Sequence, residues 1–199
     1  KGDSDIDNLR KEKKYLEVMA KMRLDSDYLY ILQQAEGYNR TETKPICYNE
    51  SVTDTLPRFT YMNPNDSNLV QLRKHFNLDS IAGSGDEISK IKNLLYWVHN
   101  IVPHDGNSRN PEERNTIAMV ELCKKENRGV NCRMMAQMLN ECYLAMGFKS
   151  RFITCMPKVM INDCHVINAV YSNTLNKWLW MDPTFNAYVT DEKGNLLGI

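Results

Sequence analysis

The hydrophobic period of this chain changes once, at about Ser150, and that change constrains the fold more than any other feature. Up to Met146, apolar residues recur at helical spacing; beyond Ser150 they alternate. Arg151–Met156, Cys164–Tyr171, Lys177–Asp182 and Ala187–Thr190 then read as successive strands joined by short turns. Helices followed by an antiparallel sheet make the chain α+β. At 199 residues it is long enough to bury a core as a single domain over 1–199, with a helical and irregular part over 1–85 and the chemistry-bearing core over 86–199.

Within the helical part, Ile6 to Ala35 predicts two helices broken near Asp25-Ser26-Asp27. Residues 37–68 carry Gly37, Pro45, Pro57 and Pro64 and read as irregular connection, a functional loop or a packed lid, with Arg58–Met62 alone strand-like. Ser67–Phe76 is the next helix. A stronger one follows Ser84: Asp86 and Glu87 suit its first turn, Ile88, Ile91, Leu94, Leu95 and Val98 form one face, and Pro103 lies beyond its end. Asn115–Glu126 is expected to be amphipathic and closed by Gly129.

Composition narrows the function classes. Twenty-five basic residues balance twenty-five acidic ones, and the short Arg10–Lys14 run reads as a solvated helix face, so nothing forms the footprint of a nucleic-acid binder. No stretch approaches the roughly 18 apolar residues of a membrane span. The six cysteines include no C-x-x-C pair, and Cys164 and His165, as strand neighbours, point to opposite faces; no metal site or cofactor is expected. Cys164 is then expected to be buried and inert. Trp178 and Trp180 share a face and suit core or cleft-wall packing, and the eleven methionines suit gap filling. The chain begins with Lys1 and shows no apolar leader, which points to a removed signal or an excised domain.

Chemistry gathers at three residues. Asn131 is a good N-cap, Met135, Met138, Leu139, Cys142 and Met146 form one helical face, and Gly147 suits the C′ position. Cys132 thus falls at the first helical position, where unpaired N–H groups and the positive end of the helix dipole favour a thiolate. A hairpin turning at Asn173-Thr174 would set His165 directly opposite Asp182, with Cβ atoms about 4.5–5.5 Å apart. A thiolate, an imidazole and an orienting carboxylate are the parts of acyl transfer through a thioester. The Cys132 backbone N–H is the natural first oxyanion donor; Trp97, Asn100 and His104 are candidates for the second.

These residues carry a resemblance. Gly129-Val130-Asn131-Cys132, Ala136 and Gly147-Phe148-Lys149-Ser150-Arg151, then His165-Val166-Ile167-Asn168-Ala169-Val170, then Trp178 through Trp180-Met181-Asp182-Pro183-Thr184, resemble in order the blocks of the transglutaminase-like superfamily over about residues 90–190. The resemblance implies a papain-like arrangement, a cysteine-bearing helix packed on a sheet that supplies histidine and aspartate, with Cys132, His165 and Asp182 as the triad and a protein or peptide as substrate. Arg133 stands where animal transglutaminases carry tryptophan, and Val166-Ile167 where Ala-Trp is frequent. The expectation is therefore a bacterial cysteine protease or amidase, secreted, periplasmic or at the cell surface, with a cytoplasmic place left open. Transglutaminase, peptide N-glycanase and a non-catalytic binding module are the alternatives.

Overall fold

The computed structural model describes Glu17, residues 59–157 and residues 164–198. The chain divides into two units, Lys1–Pro57 and Arg58–Ile199, and every element named below lies in the second. The two helices expected between Ile6 and Ala35 fall outside the described residues apart from Glu17, which is helical.

Among the described residues of the second unit, five helices precede the sheet: α1 (Ser67–Phe76), α2 (Leu78–Ala82), α3 (Glu87–Ile101), α4 (Thr116–Glu126) and α5 (Cys132–Ala145). Their starts are fixed by side chains that take up orphan amides. Asp66 accepts from the Asn68 N–H, Asp86 from Ser89, Asn115 from Ala118 and Asn131 from Met134. The end of α5 is a full Schellman motif. Phe148 N–H bonds the Tyr143 carbonyl, Gly147 N–H bonds that of Leu144, and Gly147 holds φ at 83°. The Phe148 ring meets Tyr143 edge-on at 6.1 Å, the apolar contact that accompanies such an ending.

The end of α4 departs from expectation. Asn127, at φ 46°, closes it in the left-handed region, and Gly129 serves another purpose. A Cβ at Gly129 would lie 2.4 Å from the Pro103 carbonyl oxygen, because the segment after α3 runs alongside it: Val130 N–H bonds Pro103 O at 3.1 Å and Asp105 N–H bonds Val130 O at 2.9 Å. Phe59–Met62 is also irregular rather than strand-like. Its aromatics pack instead of pairing, Phe59 against Tyr61 at 5.1 Å and Tyr61 toward Trp178 at 6.1 Å.

The sheet is an antiparallel meander in the order β1 (Ser150–Cys155), β2 (His165–Ser172), β3 (Lys177–Asp182) and β4 (Ala187–Tyr188). Alternation turns Val166, Asn168 and Val170 of β2, with Leu179 and Met181 of β3, toward α5. The core is the space between that face and the helices, filled by Ile91, Leu94, Leu95 and Val98 of α3 and Met134, Met135, Met138, Leu139 and Cys142 of α5. These side chains are the apolar faces that the spacing predicts, except that Ile88 and Met146 are only partly buried and Met134 and Tyr143 join the core. On the other face Trp178 packs between Arg151, whose guanidinium lies 4.8 Å above its ring, and Tyr171 at 5.4 Å.

The register between β2 and β3 differs from the symmetric two-residue hairpin. Ser172 pairs with Lys177 and Asn168 with Met181, so the loop is the four residues Asn173–Asn176. A two-residue loop of the favoured kind needs φ > 0 at both central positions, which β-branched Thr174 resists; the chain places the left-handed residue at Asn176 instead, φ 51°. The β3–β4 hairpin repeats the device. Asp182 pairs with Ala187 across a four-residue loop that ends on Asn186 at φ 49°.

Candidate active site

The longer loop moves the sheet register by two residues and keeps its parity. His165 and Asp182 remain on one face, but as diagonal neighbours rather than directly opposed, since Asp182 comes level with Ile167. A diagonal separation of about 7–8 Å is still within reach of two side chains. His165 Nε2 lies 2.7 Å from Asp182 Oδ2. The Asp182 side chain is 2% exposed and that of His165 32%, so the carboxylate is sealed beneath an imidazole that solvent can reach.

The buried carboxylate is held from both ends. Its Oδ1 accepts the Thr184 N–H at 2.9 Å, a turn contact within the Asp182-Pro183-Thr184 run. The Pro183 carbonyl in turn accepts from His99 Nδ1 at 3.0 Å, which ties this turn to the last turn of α3. An ionised carboxylate only accepts hydrogen bonds, so His165 carries its proton on Nε2 and leaves Nδ1 for chemistry.

Cys132 is the first residue of α5 and is half-buried. Asn131 Oδ1 accepts Met134 N–H at 3.1 Å, its carbonyl accepts Met135 N–H at 3.0 Å, and its Nδ2 donates to Asn110 Oδ1 at 2.7 Å. The N–H groups of Cys132 and Arg133 are the two that an α-helix start leaves outside both ladder and cap. Two contacts set the level of α5 against the sheet. Asn168 Nδ2 donates to the Ala136 carbonyl at 2.8 Å, and Arg133 reaches Thr154 Oγ1, on β1 opposite Val166, at 3.3 Å. Both contacts step toward the start of β2 as the helix is followed back, which brings Cys132 level with the His165 end of the sheet, with no hydrogen bond between the two side chains.

Of the three side chains considered for a second oxyanion donor, Trp97 packs edge-on against Phe76 at 4.9 Å, and Asn100 Nδ2 is bound to the Tyr96 carbonyl of its own helix at 2.6 Å. His104 is exposed and its backbone is paired with Val130, two residues before Cys132, so it is the candidate that the fold brings beside the segment leading into Cys132. Among the described residues no group of three His, Cys, Asp or Glu is gathered to hold a metal ion.

Two residues near His165 escape a reading of the sequence. Cys155, exposed, is the direct cross-strand partner of His165, and partial burial and the nearby Asp182 charge push its thiol up. The signal was its place in β1, which only the strand register turns into proximity. Phe185, 69% exposed, holds its ring 5.5 Å from the His165 ring. Cys164 is exposed, contrary to the buried position expected, because it precedes the first residue of β2 and lies outside the layered core. The remaining described thiols, Cys123 and Cys142, are buried and have raised pKa values for that reason.

The model of the transglutaminase-like superfamily matches residues 74–183, which span α2 to α5 and β1 to β3 with Cys132, His165 and Asp182 inside. No curated protein matches the chain. Among solved structures, the chain is similar to a protein from Cytophaga hutchinsonii described as a candidate cysteine protease, at 18% identity and a TM-score of 0.44. That similarity covers 58% of this chain and 37% of the other, so this chain spans well under half of the protein it matches. With more than half of its length matched by the family model, the chain belongs to the transglutaminase-like superfamily and has its α+β fold.

Proposed function

We propose that the chain is a thiol-dependent hydrolase that cleaves peptide or carboxamide bonds in protein or peptide substrates through a thioester on Cys132. The observation that carries this reading is the 2.7 Å bond from His165 Nε2 to the sealed Asp182 carboxylate. A charged group that is costly to bury has been placed where it fixes one tautomer of a half-exposed imidazole. Superfamily membership and the place of Cys132 at a capped helix start support the same chemistry.

In this mechanism the Cys132 thiolate, stabilised by the helix start, attacks the carbonyl carbon. The developing oxyanion is met by the Cys132 N–H, free because the helix leaves it unpaired. His165 Nδ1–H gives its proton to the departing amine, and the C–N bond breaks to leave the thioester. Water then loses a proton to Nδ1 as it attacks, the C–S bond breaks, and the acid and the thiolate–imidazolium pair are released. Asp182 stabilises the imidazolium throughout without taking the proton.

The test is the pH dependence of iodoacetamide labelling at Cys132, read by peptide mass spectrometry in the wild type and in His165→Ala. A midpoint well below the ordinary thiol value of about 8.5 that rises in the variant is expected. A Cys132 that labels like an ordinary thiol, indifferent to His165, refutes the reading and favours a binding module.

A further inference from the structure

We propose that Phe185 forms an apolar wall on the leaving-group side of the site and selects amines that carry an apolar side chain. This rests on the thiol-hydrolase reading above. Single exposed hydrophobic residues are ordinary on protein surfaces, but three observations set Phe185 apart. Its ring is 69% exposed while lying 5.5 Å from His165, tilted at 41°. It stands on a turn held at three points: Thr184 N–H on Asp182, the Pro183 carbonyl on His99, and Asn186 in the left-handed region. Pro183 and Thr184 are buried in that turn, so it presents Phe185 outward on a fixed base.

The side of the site follows from the chemistry. The imidazole must come within hydrogen-bond reach of the departing nitrogen to protonate it. A ring 5.5 Å from that imidazole then lies where the side chain attached to this nitrogen passes. By microscopic reversibility, an amine that captures the thioester occupies the same place as one that leaves.

The 199-residue chain is acylated with p-nitrophenyl acetate: the Cys132 Sγ–acetyl bond forms and nitrophenolate leaves. The acetyl-enzyme is then divided between water and either leucinamide or serinamide. The amine nitrogen attacks the thioester carbonyl, the C–S bond breaks, and the amine proton passes through His165 to the thiolate. The readout is the ratio of N-acetyl-leucinamide to N-acetyl-serinamide at equal amine concentration, a ratio within one variant from which any change in acylation rate cancels. We expect about a tenfold preference for leucinamide in the wild type, the discrimination that partial burial of one isobutyl group provides. Phe185→Ala should bring it within about twofold, and Phe185→Leu should keep most of it. A preference unaltered in Phe185→Ala, or none in the wild type, overturns the assignment. Nitrophenolate release that does not depend on Cys132 refutes the thioester reading itself, and this inference with it.

Discussion

The decisive residues divide into those that announce themselves locally and those that act through register. Cys132 is of the first kind, since an asparagine cap before an apolar helical face fixes its place at the helix start whatever the rest of the chain does. The His165–Asp182 pair is of the second. Parity alone put both side chains on one face, while the actual separation depended on a loop two residues longer than the symmetric reading allowed. The pair predicts a sharp effect of Asp182→Asn. Its carbonyl oxygen would still accept from Thr184, turning the amide NH2 toward His165 Nε2, which must then accept; the neutral imidazole would carry its proton on Nδ1 and could not take one from the thiol. A fall of about 10²–10⁴ in kcat/KM is expected for any amide or ester substrate, with the pH profile of Cys132 alkylation moved upward. An Asp182→Asn variant of undiminished activity would show that Asp182 does not set the tautomer.

Among the elements, the caps, the apolar faces and the Gly147 ending of α5 were legible, while the contacts that close distant segments on one another were not. Asp86 and Glu87 were read as a helix start, which they are, but Glu87 also reaches across to the β2–β3 loop. Its carboxylate accepts from Ser172 Oγ at 2.7 Å, Thr174 N–H at 2.8 Å and Asn173 N–H at 2.9 Å. No local pattern shows a contact between positions so distant in sequence. Burial works against the charge, yet the bonds from Ser172, Thr174 and Asn173 outweigh it and hold the Glu87 pKa at about 2 against an ordinary 4.5. A folded-state value below the unfolded one gives stability that is fully present above pH 4.5 and is lost as pH falls toward 2. Urea unfolding at pH 7 and pH 2.5 should therefore show Glu87→Gln losing about 1–2 kcal/mol relative to wild type at the higher pH, solvent screening included, and much less at the lower. Equal differences at both would mean that the carboxylate charge is not what holds the loop. Gly129 is the second closure missed: its signal was a helix ending, its role a close backbone approach. Gly129→Ala should cost about 1–3 kcal/mol in denaturant unfolding through the clash with the Pro103 carbonyl, and any loss below about 0.5 kcal/mol would show that the 103–105 segment yields freely.

At the scale of the whole layered unit, the proposed nucleophile and its proposed base come from different layers, and Asn168 makes the buried one of two polar bonds between α5 and the sheet, the other being Arg133 to Thr154. It is fully buried between the apolar side chains of Val166, Val170 and Met181 on its face, donates to the Ala136 carbonyl of α5, and leaves its own Oδ1 without a hydrogen-bond partner. An incompletely satisfied amide is a poor source of stability, because the bond it makes is offset by the desolvated oxygen it cannot pair. Its use is geometric: it fixes the level at which the helix that starts on Cys132 stands against the strand that starts on His165. Asn168→Leu, which keeps the number and branching of the side-chain heavy atoms, removes the bond and the orphan oxygen together. We expect a change in unfolding free energy below about 1 kcal/mol, while the rate of Cys132 alkylation at pH 7 falls by about tenfold or more as the thiol loses its set position relative to the imidazole. Loss of stability in proportion to the loss of reactivity would make Asn168 a packing residue, and unchanged reactivity would mean that the apolar core and the Arg133–Thr154 contact align the two layers without it.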